Sequence, residues 1–181
     1  ACGAIDRPLI FAGNDRPVTV VLTAGSTAEE SSAGTALGGK GSSLADLARA
    51  RFPIPPTGVI TAEAYRRVAT DPDIAALVVR LGTGEPVADV DVDELFARVP
   101  VPPELERSVV ELAATVGEGR PIAVRSSATV EDLAGSSFAG QYRSFLNVDS
   151  SDPAAVMAAV RHVWASLWHP APVAYRRAFG I

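Results

Sequence analysis

The chain has 181 residues, 48% of them apolar, and a net charge of −5. That length suits one domain with a real core, and an acidic balance with no block of like charge argues against nucleic-acid binding, which needs a basic patch. A single cysteine, Cys2, rules out an internal disulfide and fits a reducing, cytoplasmic setting, while no stretch is long and apolar enough for a membrane span and no basic-then-apolar leader opens the sequence.

Residues 1–17 show no period and read as an irregular segment. Val18 to Leu22 is β-branched, lies between Pro17 and a Thr-Ala-Gly turn, and predicts a strand. Ser26 to Thr35 is small and polar and reads as a loop. Leu37-Gly38-Gly39-Lys40-Gly41-Ser42-Ser43-Leu44 follows. Leu44, Leu47 and Ala48 recur at helical spacing, so a helix is expected to start near Ser42 or Ser43, with the three glycines just before it. Backbone donors and the positive end of a helix dipole would converge there as an anion site, with Lys40 as a mobile charge. The pattern is not a P-loop, because Gly41 rather than Ser or Thr follows the lysine. Taken alone, these residues suit a plain glycine-rich helix start with a solvated lysine even better.

Pro53-Ile54-Pro55-Pro56 forces extended chain, and Gly58 to Thr61 reads as a short buried strand. Thr61 should cap a helix through Val68. Asp71-Pro72 should open another to about Leu81, carrying Ile74, Leu77, Val78 and Leu81 on one side. Asp93 to Val99 predicts a short helix. Pro102-Pro103 starts a stronger one, with Leu105, Val109, Leu112 and Val116 on one face and Gly117 and Gly119 at its end.

Ile122-Ala123-Val124 and Gln141 to Val148 read as strands joined by a long loop of Ser, Ala, Gly and Thr. A loop of that length between strands points to binding. Small residues (Gly135, Ala139, Gly140) let backbone N–H groups approach a ligand, Phe138 gives the loop something to cover it with, and Arg125 stands at a strand end where a guanidinium can clamp an oxyanion. The same composition equally suits a surface loop beside an ordinary arginine. Asp152-Pro153 opens a further helix with Val156, Val160, Val163 and Leu167 as its stripe, widened by Met157, Trp164 and Trp168 as core residues; Pro170 and Pro172 stop it, and Val173 to Phe179 starts one more. His162 reads as a surface or satisfied histidine, since no further ligand lies at metal spacing. No Ser-His-Asp set, Cys-His pair or HExxH occurs.

Together these pieces resemble the phosphoenolpyruvate synthase and pyruvate phosphate dikinase family, whose nucleotide-binding module the rifamycin phosphotransferases share. Leu37 to Leu44 is similar to that family's Gly-Gly-Lys-Gly-x-Asn-Leu segment. Ile54 to Tyr65 resembles its Val-Pro-Pro-Gly-Phe-x-x-Thr-x-x-Ala-Tyr. Val124-Arg125-Ser126-Ser127-Ala128-Thr129-x-Glu131-Asp132-Leu133 with Ser137-Phe138-Ala139-Gly140-Gln141 looks like its most specific signature, and Trp164 to Trp168 and Ala174-Tyr175-Arg176 match as well. Ser43 and Thr57 depart from the usual Asn and Gly.

The resemblance covers about residues 18–181. It implies an α+β (α/β) fold: the N-terminal portion of an ATP-grasp-like domain, with a mixed or antiparallel sheet flanked by helices. It implies that Lys40 and Arg125 contact ATP phosphates, with Gly38, Gly39, Gly41 and Ser126 around them and Ser137 to Gln141 folding over as a lid. It implies further chain after Ile181, carrying the adenine pocket and the acidic Mg²⁺ ligands, and then phosphohistidine and acceptor domains, on the same or a separate chain. The activity implied is an ATP-dependent phosphotransferase passing phosphoryl through a histidine, which neither His162 nor His169 matches, to pyruvate, a rifamycin or a related acceptor. A non-catalytic, degenerate nucleotide-binding or interaction module is the alternative.

Overall fold

Two antiparallel strand pairs carry the β-structure of the computed structural model, which describes residues 18–22, 37–127 and 143–178. Strand β1 (Thr19–Leu22) pairs with β2 (Thr57–Ile60), Thr19 facing Ile60 and Leu22 facing Thr57. Strand β3 (Pro121–Arg125) pairs with β4 (Ser144–Asp149), Arg125 facing Ser144, with an irregularity between Ile122 and Val124. Seven helices are found among the described residues: α1 (Gly38–Arg49), α2 (Ala62–Ala69), α3 (Pro72–Thr83), α4 (Asp89–Arg98), α5 (Pro103–Gly117), α6 (Pro153–Ser166) and α7 (Pro170–Ala178). The α+β expectation holds, with antiparallel pairing throughout the described sheet structure.

Local chemistry explains most helix boundaries. Asp71 accepts from the Asp73 N–H at 2.9 Å and Pro72 fills the first position of α3, while Gly84 at φ 82° closes that helix. Asp152 does the same for α6, accepting from Ala154 N at 2.9 Å and Ala155 N at 3.3 Å. Thr61 stands at the start of α2, but no cap bond is made; its buried hydroxyl donates to Val18 O at 3.3 Å and ties the helix to β1. Helix α4 begins at Asp89, four residues before the expected Asp93, because Ala88 N donates to Asp91 Oδ2 and because Val92, Leu95 and Phe96 all bury on one side. Val78 is not on the buried side of α3; it is 38% exposed, whereas Ile74, Leu77 and Leu81 are buried. Pro170 stops α6 as expected but also opens α7, which therefore starts three residues before Val173.

Two apolar clusters result. The larger joins α2 to α7 with Ile122, Val124 and Val148 of the β3–β4 pair; Phe96, Leu105, Val109 and Val156 are at most 1% exposed. Each such side chain contributes about 1.5–3 kcal/mol on burial. The smaller consists of Leu22, Leu37, Ala45 and Val59, with Val20, Leu44 and Ile54 against it, and binds α1 to the β1–β2 pair.

The Trp164-Ala-Ser-Leu-Trp168 stretch is structural. Trp168 Nε1 donates to Tyr65 Oη at 2.5 Å, the Tyr65 and Trp164 rings lie 6.0 Å apart, and Arg176 sits over Trp168 at 5.5 Å while donating to Leu167 O at 2.6 Å. Burial pushes the Tyr65 hydroxyl up from its ordinary pKa, against the opposing pull of the Trp168 bond and the Arg176 charge.

Candidate functional site

The glycine-rich segment and the end of β3 meet, although 86 residues separate them. Ser127, two residues beyond Arg125, makes the junction. Its hydroxyl donates to Leu37 O at 2.9 Å and accepts from Gly41 N–H at 2.9 Å. Gly38 adds a third point of contact. It holds φ +70°, and a Cβ built on it would lie 1.5 Å from the Ser127 carbonyl oxygen. Only glycine gives both that left-handed backbone and that closeness.

These contacts move the helix start. Helix α1 begins at Gly38, four residues before the expected Ser42, so Gly38, Gly39, Lys40 and Gly41 form its first turn rather than preceding it. Neither Ser42 nor Ser43 caps it. Leu37 occupies the cap position with no side-chain bond, and the Gly41 amide is bonded instead by Ser127, two residues past the end of β3. The Gly41 N–H thereby ties the first turn of α1, the positive end of its dipole, to the segment just past β3.

Around this junction Gly38 and Gly41 are buried, Gly39 is half-buried and Ser126 is buried at 7%. Lys40 and Arg125 are both exposed, one in the first turn of α1 and the other at the last position of β3. Arg125 forms no ion pair with the described residues, so its guanidinium is not consumed by a structural bridge there. The remaining candidates, Ser137, Phe138, Ala139, Gly140 and Gln141, lie outside the described residues. Two backbone segments, two cations and a set of small residues are what a phosphate chain requires: charge neutralisation plus close N–H donors.

Residues 34–181 match the family described as pyruvate phosphate dikinase, AMP/ATP-binding domain. The chain belongs to this family. It is similar to the phosphoenolpyruvate synthase of Aeropyrum pernix, at 39% identity over 159 residues covering 80% of this chain and 19% of that protein. It is likewise similar to the rifampicin phosphotransferase of Streptomyces sviceus, at 37% identity with 80% and 18% covered. The prodigiosin synthesizing transferase PigC of Serratia marcescens matches at 38% identity, with 78% and 15% covered. The chain thus spans about a fifth or less of the length of these relatives. Lys40, Arg125 and Ser127 all fall inside the stretch that matches the AMP/ATP-binding domain.

A second polar cluster of this AMP/ATP-binding domain, remote in sequence from the glycine turn, does not show in the sequence as a site. His169, 5% exposed, bonds through Nε2 to Asp93 Oδ1 at 3.0 Å and has Nδ1 3.5 Å from Asp89 Oδ2. His162 Nδ1 lies 3.5 Å from Asp93 Oδ1 and its ring stacks on Phe145 at 5.6 Å, while Arg143 approaches both carboxylates at 3.9 Å. Half of the signal was present: Asp89 and Asp93 are four apart on α4, a spacing that shares a helix face, whereas His162 lies on α6 and His169 beyond its end. The cluster ties α4, α6 and the start of α7 together. Among the described residues, no group of three or more His, Cys, Asp and Glu side chains could hold a metal ion, and no helix is long and apolar enough to cross a membrane. A surface groove of about 560 Å³ is lined by Leu81, Glu85, Val87, Asp91, Val173 and Arg177 among others, and takes no residue from the glycine turn or β3.

Proposed function

We propose that this chain is the ATP-binding part of a cytoplasmic, ATP-dependent phosphotransferase in which Lys40 and Arg125 act on one triphosphate. The observation that carries this reading is the Ser127 junction, which brings the first turn of α1 and the end of β3 into contact. Lys40 supplies an ammonium, Arg125 a planar fork for two phosphate oxygens, and the first-turn amides of α1 other than that of Gly41 fixed donors. As the terminal phosphoryl group transfers, charge builds on its oxygens, and preorganised cations offset it. Ser126 borders these groups, and Ser137, Phe138, Ala139, Gly140 and Gln141 belong to the proposed lid over the phosphates. Mg²⁺ would accompany the nucleotide. The described residues offer no ligand set for it, so this mechanism routes no step through the metal.

The phosphoryl group would pass to a histidine of a further domain and then to an acceptor. The A. pernix and S. sviceus relatives point to different acceptors, pyruvate and a rifamycin, and a transfer assay offered both would choose between them. The binding half is tested by isothermal titration with MgATP on the chain extended through the adenine-pocket and metal-ligand segment that the family resemblance implies. Lys40→Ala and Arg125→Ala should each weaken binding by about tenfold or more, the loss expected for one hydrogen bond to a charged group, while thermal stability stays near wild type. Binding unchanged by both substitutions, or no binding by the wild-type protein, would overturn the reading.

A further inference from the structure

We propose that Ser127 is the positioning residue of the phosphate site: its one hydroxyl sets Lys40 relative to Arg125. The inference rests on the ATP-binding reading above and assigns the residue that assembles that site. Leu37 O can only accept and Gly41 N–H can only donate. The Ser127 hydroxyl therefore spends its proton on Leu37 and a lone pair on Gly41, both at 2.9 Å. Leu37 and Gly41 flank Lys40 by three residues on one side and one on the other. The serine thus grips the chain on both sides of the lysine, while Ser127 itself is covalently fixed two residues from Arg125.

With its donor and its acceptor function both engaged, this hydroxyl is committed to structure rather than to substrate. It acts through its neighbours. The contact of Gly38 with the Ser127 carbonyl holds the same segment from the backbone side, so the hydroxyl supplies direction where the glycine supplies closeness. Alanine at 127 would leave the Gly41 amide and the Leu37 carbonyl without partners in a half-buried setting and release the first turn of α1 from β3. Threonine keeps the hydroxyl. A displacement of either cation of about an ångström is enough to degrade a charge-assisted contact.

The experiment titrates the protein with MgATP, and with inorganic tripolyphosphate as a probe of the phosphate subsite alone. Ser127→Ala should weaken both ligands about tenfold, the effect of losing a pair of neutral hydrogen bonds, and Ser127→Thr should stay within about threefold of wild type. In a Lys40→Ala background, Ser127→Ala should add less than about twofold, because a residue acting through Lys40 has little left to act on. Wild-type Gly41 should show slowed amide hydrogen exchange, a readout that needs no variant. Wild-type affinity in Ser127→Ala, full additivity with Lys40→Ala, or an unprotected Gly41 amide would each overturn the proposal. If Lys40→Ala weakens binding and Ser127→Ala does not, only the role of Ser127 falls; if neither matters, the ATP reading falls with it.

Discussion

Helices α1 and α6 begin in opposite ways. Helix α6 is capped from within: Asp152 accepts two amides of the first turn, and Pro153 occupies a position whose N–H has no partner to lose. Helix α1 has no side-chain cap at all, and its Gly41 amide waits for a serine 86 residues further along the chain. The first arrangement is complete once five consecutive residues fold. The second exists only after the small cluster around β1–β2 and the large cluster beneath β3–β4 have come together. A helix start left open locally is one that can bind something, and its location at the meeting of the two clusters makes the site depend on the whole fold.

The most disruptive way to break this contrast is Gly38→Ala. A methyl group there meets a backbone carbonyl at 1.5 Å, which no side-chain rotation relieves, and the residue must also hold φ +70°. The expected cost is at least about 2 kcal/mol, seen in chemical denaturation, together with loss of MgATP binding. A variant of wild-type stability would show that the start of α1 does not depend on its seat against Ser127.

What could be read beforehand divides along the same line. Asp71-Pro72 and Asp152-Pro153 were legible as helix starts because their partners sit two or three residues away. The start of α1 was placed four residues late because its partner is Ser127, which only the tertiary structure reveals. Helix α4 was shortened for another reason: Asp89-Val90-Asp91-Val92-Asp93 alternates with the period of a strand, and burial of Val92, Leu95 and Phe96, with Val90 left 57% exposed, decides for helix. At the site, Lys40 and Arg125 were legible by residue type, since phosphate chemistry needs cations beside glycine. Ser127 was visible as part of the signature but not as a bridge, and the His169–Asp93 pair, 76 residues apart, required the packing of α4 on α6 to exist.

Asp152→Ala sharpens the comparison from the local side. Removing a side-chain cap costs about 1 kcal/mol, so the denaturation midpoint should fall modestly. MgATP affinity should not change, because α6 is closed on itself and its cap touches neither Lys40 nor Arg125. A loss of affinity matching that of Ser127→Ala would mean that the two helix starts are not independent.

The smallest effect belongs to a tie that is both local and exposed. Arg80 Nε donates to Glu85 Oε1 at 2.8 Å, with Nη2 at 2.7 Å and both side chains nearly half exposed. The hydrogen bond from Arg80, reinforced by its charge, holds the Glu85 carboxyl below its ordinary pKa of 4.5. A folded-state pKa below the unfolded one means that the unfolded chain binds the proton more readily. The stabilisation is therefore complete above about pH 4.5 and disappears as the pH falls through the lower folded value. Solvent and salt screen such a pair, so the contribution is slight. The difference in melting temperature between wild type and Glu85→Gln should be small and positive at neutral pH and shrink toward zero under acid, and added salt should shrink it at any pH. A difference that grows on acidification would require Glu85 to be better placed as the neutral acid than as the carboxylate.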